Sequence, residues 1–285
     1  MNENKSGEKG VEMRVAVILL FMSRMLFSDP GLQAQPGGNS MGSIIFRDEQ
    51  GRTLTTEDLR RATGTVNWEI VGENDVPKEA QMLHQRARQA GQRGDHKKAL
   101  ALLQQASKLA PLWPYPVYDT AYEYLLMQDF EGARVNYQKT LELSPRGFFT
   151  AITAVDTLTR EQKGELPPGT YLAYVSLEWM NDPVKKAAAV HRMVELVPGF
   201  APAWKEYALL VKDHNERLTI IEKGLAAHPD AETKGVLTIN KAIIFNLRGD
   251  RDGAVRLLGE LALDPKSSLG SALSAKAALA LIVNR

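Results

Sequence analysis

Gly94-Asp95-His96-Lys97-Lys98-Ala99-Leu100-Ala101-Leu102-Leu103-Gln104-Gln105-Ala106-Ser107-Lys108-Leu109-Ala110-Pro111 reads as a turn, a helical run and a stop. Gly94-Asp95 supplies the turn, and Pro111 cannot continue the helix. The construction recurs from Asp129-Phe130-Glu131-Gly132-Ala133 through Tyr137, Thr140 and Leu143-Ser144 to Pro145. Pro111 and Pro145 stand 34 residues apart, the length of one helix–turn–helix repeat unit. The units match in register: Ala99 with Ala133, Leu103 with Tyr137, Ala106 with Thr140 and, in the preceding helix, Ala87 with Ala121. These small residues fall where the two helices of a unit cross, and a larger side chain there would overpack the crossing by about 1–3 kcal/mol. A repeat scaffold of this kind offers a binding surface rather than a reaction centre.

Outward from this stretch, the pattern predicts further helices. Pro77 opens the helical region at a position proline tolerates. Helix pairs are expected over 78–93 and 96–109, 115–128 and 130–143, 170–180 and 183–197, 202–213 and 215–228, and 232–248 and 251–263, with a closing helix over 269–283. Pro198, Pro229 and Pro265 end the last three pairs, at intervals of 31 and 36, so only the first two units keep strict period. An extra helix at about 147–163, ended by Gly164 and Pro167-Pro168-Gly169, reads as an insertion. Pro198-Gly199-Phe200 leads to Ala208 as Pro111-Leu112-Trp113 leads to Ala121.

The N-terminal quarter differs. Residues 1–41 contain a short apolar run, Val15 to Phe21, behind Lys5, Lys9 and Arg14, and then a linker rich in Gly, Pro, Gln and Ser. The run is shorter than the roughly 20 residues that span a membrane, and suits the core of a secretory signal with cleavage near Ala34. Arg24 within it and Glu3, Glu8 and Glu12 beside it run against that reading. An exported or periplasmic protein is expected if the signal operates, and a cytoplasmic one if translation starts at Met41. Membrane contact is expected only through this segment. Residues 42–76 read as a small β-α-β cap: a strand at Ser43-Ile44-Ile45-Phe46, a turn at Asp48-Glu49-Gln50-Gly51, a helix over 56–63 behind Thr55, and a strand over 66–71. Too short to hold a core alone, it is expected to dock on the first repeat. The helical repeat domain fills 77–285.

The residues from about 78 to 265 resemble the tetratricopeptide repeat (TPR) family. The resemblance is carried by Leu83, Ala87, Gly94, Ala99, Leu103, Ala106 and Pro111 in the first unit, by Ala121, Tyr124, Ala133, Tyr137 and Pro145 in the second, and by Trp204, Tyr207, Ala208 and Pro229 in the fourth. It implies an all-α fold, a right-handed α-solenoid of TPR-like helix hairpins behind the small N-terminal cap. It also implies a concave groove, lined by the first helix of each pair, that holds a peptide or protein segment without cofactor or catalysis.

The chain has 285 residues, 44% hydrophobic and 24% charged, as folded proteins do. Thirty-five basic residues against 34 acidic ones leave a net charge of +1, which argues against a dedicated nucleic-acid binder. With no cysteine there is no disulfide, thiolate nucleophile or Cys-ligated metal. The five histidines lack paired-ligand spacing. Gly38-Asn39-Ser40-Met41-Gly42 matches a nucleophile elbow in letters, but a linker precedes it and a strand follows. Asp250-Arg251-Asp252-Gly253 fits a repeat turn better than a calcium loop. No cofactor or metal site is expected.

Recognition is expected from Tyr115, Tyr118 and Tyr122, spaced three and four apart on one helical face, whose rings offer apolar area and hydroxyls at low entropic cost. The competing reading packs them on the inserted helix. His84 and Arg88, with Gln81 and Gln92, form the corresponding face of the first unit, and Asp119 beside them disfavours a carboxylate ligand. Arg146, at the junction with the inserted helix, is placed to reach the groove. The function expected is a non-enzymatic scaffold for a protein or peptide segment. The alternatives are an exported accessory subunit of a cell-envelope assembly, and an enzyme, which a closed polar site with strongly shifted carboxylates would favour.

Overall fold

The structure, a computed structural model, describes residues 43–47, 52–54, 67–71 and 76–283, in two units that divide after Asp75. In the first unit, strands β1 (Ser43–Arg47), β2 (Thr53–Leu54) and β3 (Asn67–Val71) form an antiparallel sheet of order β2-β1-β3. Phe46 pairs with Leu54 on one side and with Trp68 on the other. Strand β2 was not expected, because two residues are too few to show alternation. The leader and linker of residues 1–41 and the helix expected over 56–63 lie outside the described residues.

The second unit is helical throughout. Its first pair is α1 (Lys78–Gln92) and α2 (His96–Leu109), and its second α3 (Pro114–Leu126) and α4 (Phe130–Leu143). There follow α5 (Ala151–Gln162), the short α6 (Thr170–Ser176) running into a 3-10 turn at Leu177–Trp179, and α7 (Pro183–Leu196). The helices α8 (Ala201–Leu210), α9 (His214–Ala226), α10 (Ala231–Leu247), α11 (Arg251–Leu263) and α12 (Leu269–Val283) complete it.

The hairpins form for local reasons. Asp95, Asp129 and Asp250 each cap the second helix of a pair, their carboxylates accepting from the amides of Lys98, Gly132 and Gly253. Asp250 thus serves the repeat turn. Leu83, Ala87, Leu102, Leu103 and Ala106 close the first pair. Ala208, Ile220, Ile221, Leu237 and Ile244 bind the fourth pair to the next helix.

The turn before each capping aspartate needs a left-handed residue. Gly94 takes it at φ 77°, and the residue 34 positions on, Gln128, is held at φ 61°. A side chain in that region carries strain that glycine avoids. Gln128→Gly is therefore expected to stabilise the protein by about 0.5–1 kcal/mol, seen as a higher denaturation midpoint at constant slope.

The middle of the solenoid departs from the expected pairs. Phe148 and Phe149 precede α5 rather than belonging to it, because Gly147 (φ 102°) and Phe149 (φ 46°) turn the chain there. The expected pair over 170–180 and 183–197 is not a hairpin. Helix α6 is about two turns long, and α7 packs chiefly on α8, meeting the preceding segment at the 3-10 turn. Glu161, at the end of α5, accepts at 2.7 Å from the amides of both Gly169 and Tyr171 and so seats the start of α6.

Solenoid repeats ordinarily touch only their neighbours. Here residues far apart in sequence meet. The amide of Leu269 donates to the carbonyl of Arg146 at 2.7 Å, and the Arg146 guanidinium donates to the carbonyl of Ser267, 121 residues away, at 3.3 Å. Thr153 of α5 donates to Asp230, the N-cap of α10, at 3.1 Å, and Arg160 donates to the Gly199 carbonyl at 2.9 Å. The insertion therefore ties the second pair to the last three helices.

Candidate functional site

Tyr115, Tyr118 and Tyr122 share one face of α3, as their spacing requires, and that face is occupied by the chain itself. Tyr118 is 2% exposed. Its ring packs on Tyr137, Phe148 and Phe149, with centroids 5.2–5.7 Å apart. Its hydroxyl meets Thr150 Oγ1 at 2.8 Å, which in turn meets the Tyr171 hydroxyl at 3.0 Å. Burial pushes the Tyr118, Tyr137 and Tyr171 phenols well above their usual range. The Tyr137 ring lies edge-on to Tyr171, with centroids 5.9 Å apart. Tyr115 lies edge-on to Phe148 and Phe149 and remains partly exposed. Tyr122 accepts from the Trp179 indole at 3.1 Å, and Trp179 is 43% exposed. Burial raises the Tyr122 phenol to about 12, against the Trp179 hydrogen bond.

The polar residues of the first unit are arranged differently from an open selective face. His84 is 3% exposed, stacks edge-on against Trp113 and places Nε2 2.7 Å from Asp119 Oδ2. Its role is to fix Asp119. Arg88 Nε lies 3.9 Å from the same oxygen and keeps about a quarter of its side chain exposed. Arg146 is exposed but engaged with Ser267. Arg88, Asp119 and Tyr122 stay partly accessible, and with the exposed Trp179 of the 3-10 turn they form a strip.

Beneath that strip lies a polar junction that sequence reasoning missed. Lys205 Nζ donates to the Tyr174 hydroxyl at 2.6 Å and lies 3.2 Å from Glu206, to which Tyr174 also donates at 3.3 Å. The side chains of Lys205 and Glu206 are only about a tenth exposed. Glu178 Oε2 is buried without a hydrogen-bond partner. Burial raises the Glu178 carboxyl to about 7, with Lys205 opposing and Glu206 adding to the shift. Burial and then the Asp230 charge raise Glu232 to about 8, with Lys205 opposing. Lys205 is held well above its usual range despite burial, by Tyr174 and Glu206. The signal in the sequence was Lys205-Glu206 inside the otherwise apolar run Ala201-Pro202-Ala203-Trp204-Lys205-Glu206-Tyr207-Ala208-Leu209-Leu210. Among the described residues, no group of three or more His, Asp or Glu is placed to hold a metal. No described helix is long and apolar enough to cross a membrane.

No protein-family model matches the chain, and no curated protein matches it by sequence. Among solved structures it is similar to residues 41 to the end of MamA from Desulfovibrio magneticus RS-1, at 15% identity over 65% of this chain and 94% of that one, with a TM-score of 0.32. It is also similar to YrrB, a TPR protein with an unusual peptide-binding site, at 16% identity over 73% and 92%, with a TM-score of 0.30. A third is the TPR2AB domain of yeast Sti1 in complex with pHSP90, at 15% identity over 73% and 87%, with a TM-score of 0.31. At these identities and TM-scores nothing about function passes from those proteins to this chain. Its own helix hairpins, their capping aspartates and the 34-residue register of its first two units are what make the chain similar to tetratricopeptide repeat proteins.

Proposed function

We propose that the protein is a non-enzymatic interaction scaffold that holds a protein or peptide segment along the strip formed by Arg88, Asp119, Tyr122 and Trp179. The observation that carries this reading is Trp179. A tryptophan 43% exposed, held in one orientation by the Tyr122 hydroxyl, presents rigid aromatic area at little entropic cost. Arg88 and Asp119, on the adjoining helices, supply an opposite-charge pair for a partner's polar groups. Tyr118 and His84 support the strip from below, one by packing and one by orienting Asp119.

The test takes the partner recovered by affinity capture from the native host and measures its purified binding segment by calorimetry. Trp179→Ala is expected to weaken binding tenfold or more, on the order of a hot-spot residue, with an unchanged melting temperature. Equal affinity for the variant and the parent would reject this strip as the site.

An enzyme would draw on Glu178 and Glu232, the carboxyls shifted furthest toward neutrality. Lys205 beside them is held protonated and Tyr174 is held as the phenol, so neither supplies a nucleophile.

A further inference from the structure

The elements that carry the aromatic part of the strip hold acid and no base. Helix α3 has Asp119 and Glu123 as its charged residues, and the segment from α6 through the 3-10 turn has Glu178. Glu123 is engaged: it is 6% exposed and meets His96 Nδ1 at 2.6 Å. Asp119 and Glu178 have capacity to spare. The His84 and Arg88 nitrogens both approach Asp119 through Oδ2, so among the described residues Oδ1 is left without a hydrogen bond, and about a quarter of the side chain is exposed. Glu178 Oε2 has no hydrogen-bond partner, and the residue stays partly exposed next to Trp179. Lys186 of α7 and Lys205 of α8 both bear on Glu178, but Lys205 is held by Tyr174 and Glu206. Both carboxyls stand beside Tyr122. Asp119 is three residues back on the same face of α3, and the charges of Asp119 and Glu178 both act on the Tyr122 phenol. Tyr122 in turn fixes the Trp179 indole at 3.1 Å.

An aromatic pair flanked by two carboxyls is the chemistry that holds a cation. Ring faces attract positive charge, and a carboxylate beside them completes the pair. An acidic segment would meet two like charges there, and a wholly apolar one would leave the Glu178 carboxyl without a partner. Resting on the strip as the binding face, we propose that the partner segment carries an arginine or lysine whose cation lies against the Tyr122–Trp179 pair and is shared by the Asp119 and Glu178 carboxylates. Arg88 sits on the Oδ2 side of Asp119, which leaves the Oδ1 side to the partner.

The test uses the full chain and short peptides in which alanine alternates with arginine, glutamine or glutamate. The readout is the indole N–H resonance of Trp179, identified among the four tryptophans by its loss in Trp179→Phe. The arginine peptide is expected to move that signal saturably and to bind about tenfold tighter than the glutamine peptide, and the glutamate peptide to leave it in place. Glu178→Gln and Asp119→Asn, which keep shape, are each expected to remove about fivefold or more of that preference. If Glu178→Gln does not fold by circular dichroism, Asp119→Asn decides. Asp252→Asn removes the same charge from an exposed position on α11 and is expected to change nothing. An equal loss in Asp252→Asn would mark general charge attraction and overturn the inference. Equal binding of the arginine and glutamine peptides at Trp179 would overturn it while leaving the strip as the binding face. An arginine peptide that leaves the Trp179 signal unmoved would also overturn it, and the strip itself would still stand or fall on Trp179→Ala with the native partner.

Discussion

Replacing Ala121 by glutamate is expected to lower stability by about 3–5 kcal/mol, the cost of an unpaired charge buried at a packed crossing. Ala121 has no exposure. Its register partners Ala87 and Ala208 are 1% exposed, and Ala99, Ala106 and Ala133 have none. Each is small because the helices of a hairpin approach closely there. A glutamate at Ala121 can escape only by parting α3 from α4, which also uncovers Tyr137. Ala208→Glu is expected to act alike between α8 and α9. Denaturant unfolding followed by circular dichroism measures both. A midpoint unchanged in either variant would contradict the helix register.

Tyr118→Ala is expected to cost about 3–5 kcal/mol, as large-to-small aromatic truncations in cores do. The ring joins α3 to Tyr137 on α4 and to Phe148 and Phe149 ahead of α5, so its loss opens a cavity between the second pair and the insertion. Tyr118→Phe keeps the ring and removes only the bond to Thr150, with an expected cost of about 1 kcal/mol. The pair of variants separates a packing role from a recognition role. A residue serving only an open groove would tolerate alanine at no cost in stability. Thermal and chemical unfolding of the two variants side by side give the comparison.

The hairpins were legible because their determinants are local. Aspartate caps, left-handed turns and small residues at crossings recur within one unit, and Asp95, Gly94 and Ala99 have counterparts 34 residues on at Asp129, Gln128 and Ala133. The face shared by the three tyrosines followed from the same periodicity. What lies against that face did not. Phe148, Phe149 and Tyr171 reach Tyr118 only because Gly147 and Phe149 turn the chain back, and no periodic pattern encodes that. The third pair was misjudged because the stretch between Gly169 and Asp182 changes from α-helix to a 3-10 turn at Leu177, so only that turn meets α7, and no periodic pattern encodes the change. Glu232 and Glu178 read as ordinary surface charges in the sequence. Both are partly covered in the fold, by segments that the repeat pattern does not bring together.

That closure is the claim on which the site and the role of Tyr118 both rest, and one cross-link tests it. A Cβ built on Gly147 lies 3.7 Å from Ser268 Cβ, within disulfide range. The nearest obstacle is the end of the Ile152 side chain, and a cysteine at residue 147 also carries the strain of its φ of 102°, so the reading is taken on protein that circular dichroism shows to be folded. In the Gly147→Cys, Ser268→Cys chain, mild oxidation is expected to form an intramolecular disulfide, seen as a loss of both free thiols in the monomer and faster migration without reductant. Two thiols that remain free and reactive in the folded, oxidised protein would show that residue 147 and the start of α12 do not meet, and would contradict the closed solenoid.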